Sequence, residues 1–209
     1  MIYRAIGIIS GGEPASLKIC FTEFTVTAKQ WQCRLIEATQ INYDNQWQQL
    51  LATALTGSVT EFVTMHNQLG QYMGHQINEF INQYLLQHQV QLISCNGHAL
   101  RDANGTLLFT LGNAAATAAV TGLPVISNLG DINEALGGSV NNLFTKAAQL
   151  LFAKNPEADS HIQMGNYKEA ILVALSGVLR WREEATVLPA ETGASRESIG
   201  GALWLGNEA

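Results

Sequence analysis

A change in the spacing of apolar residues at Ser58 constrains the fold of this chain more than any other feature. Before this point, the residues form alternating and β-branched runs that are separated by turn residues, which is typical of strands. Three such runs cover residues 3–9, 17–27 and 30–38. After it, apolar residues recur at helical spacing from Phe62 to Leu85, and Ser58 with Glu61 has the pattern of a capping box. The sequence therefore predicts an antiparallel three-stranded meander followed by one long amphipathic helix.

The rest of the chain alternates between short strands and helices. Further strands are predicted over residues 89–95 and 106–111 and from Val125 onward. Asn113 is expected to cap an alanine-rich helix. Helices are also predicted near residues 143–153, 167–180 and 196–206, the second with a capping pattern at Asn166. This order favours one α/β domain over residues 1–209, with a mixed sheet that opens with the meander and is flanked by helices, as in ribonuclease-H-like and actin-like ATPase folds.

Composition excludes several classes of protein. A chain of 209 residues with 47% hydrophobic content can form a packed core. Its 17 acidic residues outnumber its 11 basic ones and no basic cluster occurs, which argues against a nucleic-acid partner. Apolar stretches fall short of the about 20 residues of a membrane span, and the beginning lacks the plan of a signal peptide, so we expect a cytoplasmic protein without a membrane partner. The three cysteines lack metal-ligand spacing, so no metal site is expected.

Several segments, read in order, resemble one family of sugar kinases. Residues 5–16 align with an opening strand and a phosphate loop of the form M-S-G-T-S-x-D-G-x-D, in which Ser10 and Gly11 are retained. Residues 92–99 and 127–138 align with I-x-S-H-G-Q-T and A-D-F-R-x-x-D-x-A-x-G-G. Residues 66–70 resemble part of a family helix, residues 111–113 resemble I-G-D, and residues 121–126 resemble T-G-I-P-V-V. Residues 196–208 resemble the family's closing helix, K-E-A-x-x-F-A-x-L-x-N-E. These collinear segments resemble the anhydro-N-acetylmuramic acid kinases.

The resemblance implies site residues, several of which differ from the family's pattern. They are Ser10, Gly11 and Gly12 for the cofactor, Asn96, Gly97, His98 and Asn113 for the substrate, and Asn128 and Asn133 at catalytic positions. The family has aspartates at these two catalytic positions, and an amide cannot accept a proton at neutral pH. Asp131 and Glu134 lie within three residues of them and are candidates for displaced carboxylates.

Two further departures bear on the function. Glu13 adds a negative charge to the phosphate turn and Pro14 removes a backbone donor. The family's second lobe, with its own nucleotide loop, has no counterpart in the chain. The resemblance implies that active members bind ATP between two lobes and phosphorylate an anhydro sugar while water opens the anhydro bond.

Two interpretations follow, and they belong to different classes. The first is a non-catalytic relative that acts as a binding or assembly protein, with no cofactor or with a weakly held sugar or nucleotide. The second is an active kinase in peptidoglycan recycling, using ATP and Mg²⁺ with displaced catalytic residues. A nuclease is set aside because residues 1–12 contain no Asp or Glu to hold metals. We also expect a homodimer, and a last helix over residues 197–207 that packs on the opening strands.

Overall fold

The strands of the structure form one mixed sheet. The structure, a computed structural model, describes residues 1–12, 15–28, 30–104, 106–152 and 162–207. Its strands are Ile2–Gly11 (β1), Ser16–Thr27 (β2), Gln30–Asn42 (β3), Leu92–Arg101 (β4), Leu107–Leu111 (β5), Val125–Ser127 (β6) and Ala202–Trp204 (β7). Their order is β3-β2-β1-β4-β6-β7, and β5 pairs with β4. The predicted antiparallel meander of β1, β2 and β3 is confirmed.

Helices cover both faces of the sheet. They are Asn45–Ala52 (α1), Val59–Gln83 (α2), Ala114–Thr121 (α3), Asp131–Ala135 (α4), Thr145–Phe152 (α5), Ile162–Trp181 (α6) and Pro189–Thr192 (α7), with a 3₁₀ turn at Val140–Asn142. Alternate residues of a strand point to opposite faces. Ile6 and Ile8 of β1 therefore join a core with α2 and α3, whereas Ala5 and Ile9 join a core with α5 and α6. The predicted α/β class is confirmed.

The long helix α2 begins as the sequence predicts. The Ser58 hydroxyl accepts a hydrogen bond from the Glu61 amide nitrogen at 3.3 Å, and the Glu61 carboxylate accepts one from the Ser58 amide nitrogen at 2.7 Å. This capping box satisfies backbone donors that the first helical turn leaves free. Farther along α2, a methyl group on Gly70 would lie 2.2 Å from the Asn113 carbonyl oxygen, so the absence of a side chain allows the start of α3 to approach closely.

On the face of the sheet opposite to α2 and α3, the close approach of α6 also depends on a glycine. A methyl group on Gly7 of β1 would lie 2.0 Å from the carbonyl oxygen of Ala170 in α6. Ala174, one turn later, is fully buried against the same strand. The small residues therefore let α6 pack directly on the centre of the sheet, where β1 contributes Ile9 to the shared core.

The closing segment was predicted as a helix, and this prediction is wrong. Residues 202–204 instead form β7, which pairs antiparallel with β6. Gly201 and Gly206 have positive φ values of 109° and 75°, which an α-helix does not tolerate, and the edge of β6 offers free backbone partners. The prediction also began α6 at Tyr167, with Asn166 as its cap, whereas the helix begins five residues earlier, at Ile162. It omitted α1, which Asp44 caps.

No helix among the described residues is both long and apolar enough to cross a membrane.

Candidate functional site

The candidate site lies where the parallel strands end. Ile9 of β1 pairs with Asn96 of β4, and Ser94 of β4 pairs with Ile126 of β6. Asn96 and Asn128 each follow this second pair by two residues, so they reach the same edge of the sheet. Ligands of open α/β sheets bind at the carboxyl ends of the strands. The edge that carries the predicted site residues is therefore the place to look for a ligand.

A cleft of about 650 Å³ opens at this edge, on the face that α6 covers. Ser10, Gly11 and Gly12 line it together with Asn96 and Gly97, so the structure brings the predicted cofactor turn and part of the predicted substrate group together. Cavities of this size hold small-molecule ligands in other proteins. Gly12 has a φ of 92°, a backbone conformation that favours glycine, where the chain leaves β1.

Among the described residues of the cleft lining, two are positively charged and one is negatively charged. Lys18 and Arg101 line the cleft, as does Glu169 of α6. The Lys18 ammonium donates a hydrogen bond to the Asn166 carbonyl oxygen at 3.2 Å, which holds it beside the first turns of α6. Glu169 is the carboxylate that lines the cleft among the described residues.

His98 belongs to a polar network on the opposite face of the sheet. The Ser10 hydroxyl oxygen lies 3.1 Å from His98 Nδ1 and 2.8 Å from the Tyr43 hydroxyl oxygen. Burial lowers the pKa of His98 and raises the pKa of Tyr43, so both groups are neutral at pH 7. The Ser10 hydroxyl, predicted to contact a phosphate, is engaged in this network. Sequence reasoning missed Tyr43, because an aromatic residue at a strand end reads as core.

Gly97 and Asn113 have structural roles. A methyl group on Gly97 would lie 1.8 Å from the Leu111 carbonyl oxygen, so close pairing with β5 requires glycine. Asn113 caps α3, because its Oδ1 accepts a hydrogen bond from the Ala115 amide nitrogen at 2.9 Å. Its Nδ2 donates to Asn67 Oδ1 at 2.6 Å. Both ends of the Asn113 side chain are thus engaged with α2 and α3.

Asn128 organises the loop that follows β6. Its backbone is left-handed, with a φ of 56°, a conformation that asparagine tolerates better than most residues. Asn128 Nδ2 donates a hydrogen bond to Asp131 Oδ2 at 2.6 Å, and its Oδ1 accepts one from the Ser127 hydroxyl at 2.8 Å. The Asp131 carboxylate is therefore held by the amide beside it.

Asn133 is fully buried in α4. Its Nδ2 donates to the Ser139 carbonyl oxygen at 3.1 Å. Within the part of the chain that the structure describes, its Oδ1 has no hydrogen-bond partner. A methyl group on Gly138 would lie 2.1 Å from that oxygen, so the loop is packed tightly around the amide.

Glu134, the second displaced candidate, lies at a different pocket. That pocket has a volume of about 400 Å³, and Arg101 and Ser139 line it too. Desolvation, and secondly the charge of Asp131, raise the pKa of Glu134. Asp131 and Glu134 therefore face different surroundings, one beside the Asn128 amide and the other in the second pocket.

The described residues do not fit a magnesium site. Mg²⁺ prefers carboxylate oxygens together with phosphate. Amides occupy positions 128 and 133, and Glu169 alone supplies a carboxylate to the described lining of the cleft. Over residues 1–12, 15–28, 30–104, 106–152 and 162–207, no group of three His, Cys, Asp or Glu side chains is placed to hold a metal ion. Glu13 and Pro14 lie outside the described residues.

Comparison with known proteins agrees with the fold and with the segments compared above as far as residue 138, whereas the closing segment at residues 196–208 lies outside the matched residues. No curated protein matches the chain. Residues 3–169 match the family model described as "Anhydro-N-acetylmuramic acid kinase". The match includes the meander, the long helix, the turn at Ser10 and the loop that carries Asn128 and Asn133, and it ends before β7. The predicted actin-like fold agrees with it. The chain therefore belongs to the anhydro-N-acetylmuramic acid kinase family.

Proposed function

We propose that this chain is a non-catalytic member of its family that binds a small polar ligand, a sugar or a nucleotide, in the cleft at the carboxyl edge of the sheet. It then acts as a binding or assembly protein. One observation carries the proposal: at both positions where the resemblance places catalytic aspartates, the local structure uses the NH₂ group of an asparagine as a donor. A carboxylate has no such donor.

The groups around the Asn128 and Asn133 side chains are compatible with an amide and unfavourable for a carboxylate. Nδ2 of Asn128 faces the Asp131 carboxylate, so an aspartate at 128 would place two negative charges side by side. Nδ2 of Asn133 faces the Ser139 carbonyl oxygen, so an aspartate there would set two acceptors against each other in a buried place. The loss of the acids is thus accompanied by contacts that depend on their replacements.

The phosphate turn supports the same proposal. In the described structure, the Ser10 hydroxyl bonds with Tyr43 and His98. Phosphoryl transfer depends on positioning and on neutralising charge around the phosphates. Lys18 and Arg101 supply positive charge near the turn, but Glu169 opposes it.

Two measurements on the full chain test the proposal. We expect calorimetric titration with Mg-ATP to give no binding or weak binding, and we expect no ATP-dependent phosphorylation of the anhydro sugar. An active member of the family serves as the positive control for both assays. Turnover of the sugar well above the background without enzyme would overturn the proposal.

One observation favours a second candidate, an active kinase. The Asn128 amide orients the Asp131 carboxylate at 2.6 Å, and a fixed carboxylate at the sheet edge is what a general base requires. If this candidate holds, the wild type phosphorylates the sugar and Asp131→Asn lowers kcat by about 10²–10⁴-fold. Absence of activity in the wild type would eliminate it.

We further propose a cytoplasmic homodimer. Leu55, Val59, Val63 and Phe109 are exposed apolar residues on and around the start of α2, and apolar patches of this kind are typical of interfaces. Light scattering at roughly tens of micromolar tests the oligomeric state. A monomer at that concentration would contradict the proposed dimer.

A further inference from the structure

The cleft and the second pocket meet at one residue. Arg101, the last residue of β4, lines both of them. The cleft lies on the side of β1 to β3 and α6, whereas the second pocket lies between the β4–β5 hairpin and the segment from α4 to the 3₁₀ turn. With volumes of about 650 Å³ and about 400 Å³, each lies within the range of small-molecule sites. A ligand that passes Arg101 would therefore contact more of the protein than the cleft alone offers.

Both cavities present neutral hydrogen-bonding groups. The cleft is lined by the side-chain amides of Gln40, Asn42 and Asn96. The second pocket is lined by the Thr106 hydroxyl and the Asn141 amide. An amide presents a donor and an acceptor side by side, and a hydroxyl serves as either. Such a lining matches a ligand that carries many hydroxyl groups, because each of those also donates and accepts.

The charged residues of the two cavities balance. Lys18 and Arg101 are positive, and Glu169 and Glu134 are negative, so the described lining carries two charges of each sign. Highly anionic ligands need a surplus of positive charge around them. This lining has no such surplus, and it therefore discriminates against a nucleotide or a phosphorylated sugar and favours an uncharged ligand.

We infer that the cleft and the second pocket together bind a neutral polyhydroxylated ligand longer than one sugar ring, such as an uncharged disaccharide, laid across Arg101. This inference rests on the proposed binding function. That proposal names either a sugar or a nucleotide as the ligand, and the inference selects the sugar. One sugar unit occupies the cleft beside Asn96, and the next unit occupies the second pocket beside Asn141.

The experiment compares cellobiose, a neutral disaccharide, with glucose, its single unit, and with the anionic probes glucose phosphate and ADP. Titration of the full chain is followed by NMR, with the side-chain amide signals of Asn96 and Asn141 as local reporters. We expect cellobiose to shift both signals and to bind more tightly than glucose, which shifts the Asn96 signal. Asn96→Ala should weaken both sugars, whereas Asn141→Ala should weaken cellobiose about threefold to tenfold and leave glucose unchanged. Gln71→Ala, which removes an exposed amide on α2, is the matched control and should change neither.

Three other outcomes would overturn the inference, and they separate it from the proposed function. If Asn96→Ala weakens both sugars but Asn141→Ala weakens neither, the ligand does not reach the second pocket, and binding in the cleft stands. If ADP or glucose phosphate binds more tightly than cellobiose, the uncharged ligand class is wrong, and binding in the cleft again stands. If none of the four probes shifts either amide signal, the inference and the proposed binding in the cleft fail together.

Discussion

Asn133 is a buried amide whose NH₂ group is used and whose oxygen has no described partner. We predict that Asn133→Asp destabilises the fold by about 1–3 kcal/mol, because the donor to Ser139 is lost and a carboxyl group is buried without a partner. Urea denaturation measures this change. Asn141→Asp, the same substitution at an exposed neighbouring position, should change the free energy of unfolding by less than about 0.5 kcal/mol.

The pH dependence of this variant gives a second check on its cause. A buried carboxyl without a positive partner has a raised pKa in the folded state, so the folded state binds more protons than the unfolded state near that pKa. The loss of stability should therefore be smallest at acidic pH and should grow as the pH rises through the unfolded pKa. An equal loss at pH about 4 and about 7 would contradict this explanation.

The two amides also bear on whether activity can be restored. We predict that Asn128→Asp combined with Asn133→Asp gives no measurable kinase activity. A general base contributes about 10²–10⁴-fold, but phosphate positioning and charge neutralisation contribute most of the catalysis. The engaged Ser10 hydroxyl and the negative charge of Glu169 in the cleft remain in the double variant. ATP-dependent formation of the phosphorylated sugar is assayed against the wild type. Clear turnover in the double variant would show that the site needs only its two acids.

His66 on α2 accepts a hydrogen bond at Nδ1 from the Gly112 amide nitrogen, at 3.1 Å. A backbone amide can only donate, so Nδ1 must be unprotonated, and burial lowers the pKa of His66 further. A histidine pKa below its unfolded value, about 6.5, means that stability is complete above that value and is lost as the pH falls toward the folded pKa. His98, whose pKa is lowered in the same way, contributes with the same sign.

We therefore predict that the wild type is less stable at pH about 5 than at pH about 7.5, and that His66→Gln reduces this difference. Loss of the hydrogen bond from the Gly112 amide to His66 accounts for about 0.5–1.5 kcal/mol of the difference in stability between the two pH values. Thermal and urea unfolding across this pH range measure the effect. His75→Gln, at an exposed position on the same helix, is the control and should leave the pH dependence of the wild type intact.

At the scale of elements, the contact between α2 and α3 depends on a missing side chain. We predict that Gly70→Ala destabilises the protein by about 1–3 kcal/mol, because the methyl group would meet the Asn113 carbonyl oxygen at 2.2 Å and push α3 away. Gly165→Ala in α6 is the matched change, since a methyl group there meets nothing within 4 Å. It should be neutral or stabilising by up to about 1 kcal/mol. Equal effects of the two changes, measured by urea denaturation, would contradict this packing argument.

The elements that sequence reasoning predicted are those whose signal is local. The strands β1 to β3 and the capping box at Ser58 are indicated by patterns among neighbouring residues, and both are confirmed. The structure of the closing segment, in contrast, depends on contacts with distant residues. Residues 202–204 become a strand because β6 offers an unpaired edge. A methyl group on Gly206 would lie 2.7 Å from the Gly122 carbonyl carbon, so the close approach there requires glycine. Such contacts between distant segments leave no periodicity in the sequence.

The candidate site shows the same division. The residues of the turn at Ser10 and of β4 at Asn96 were identified from segments that resemble the family, and the structure brings them to one cleft. Their engagement was not predictable, because Tyr43, which contacts Ser10, lies 33 residues away on another element. Lys18, Arg101 and Glu169 were missed because they lie far apart in the sequence, and only the fold brings them to one cavity.

On the scale of the whole molecule, the two helical layers of the sheet come from successive parts of the chain. The layer of α2 and α3 follows the meander directly, whereas α6, which packs on β1 through Gly7 and Ala170, comes from residues 162–181. During synthesis the meander, α2 and α3 therefore emerge from the ribosome before α6 does. In that interval Ile9, Cys20 and Phe24 are exposed to water, because the helix that covers them has not yet been made. The nascent chain is an aggregation hazard in that interval, and a chaperone that shields apolar strands would act on it then.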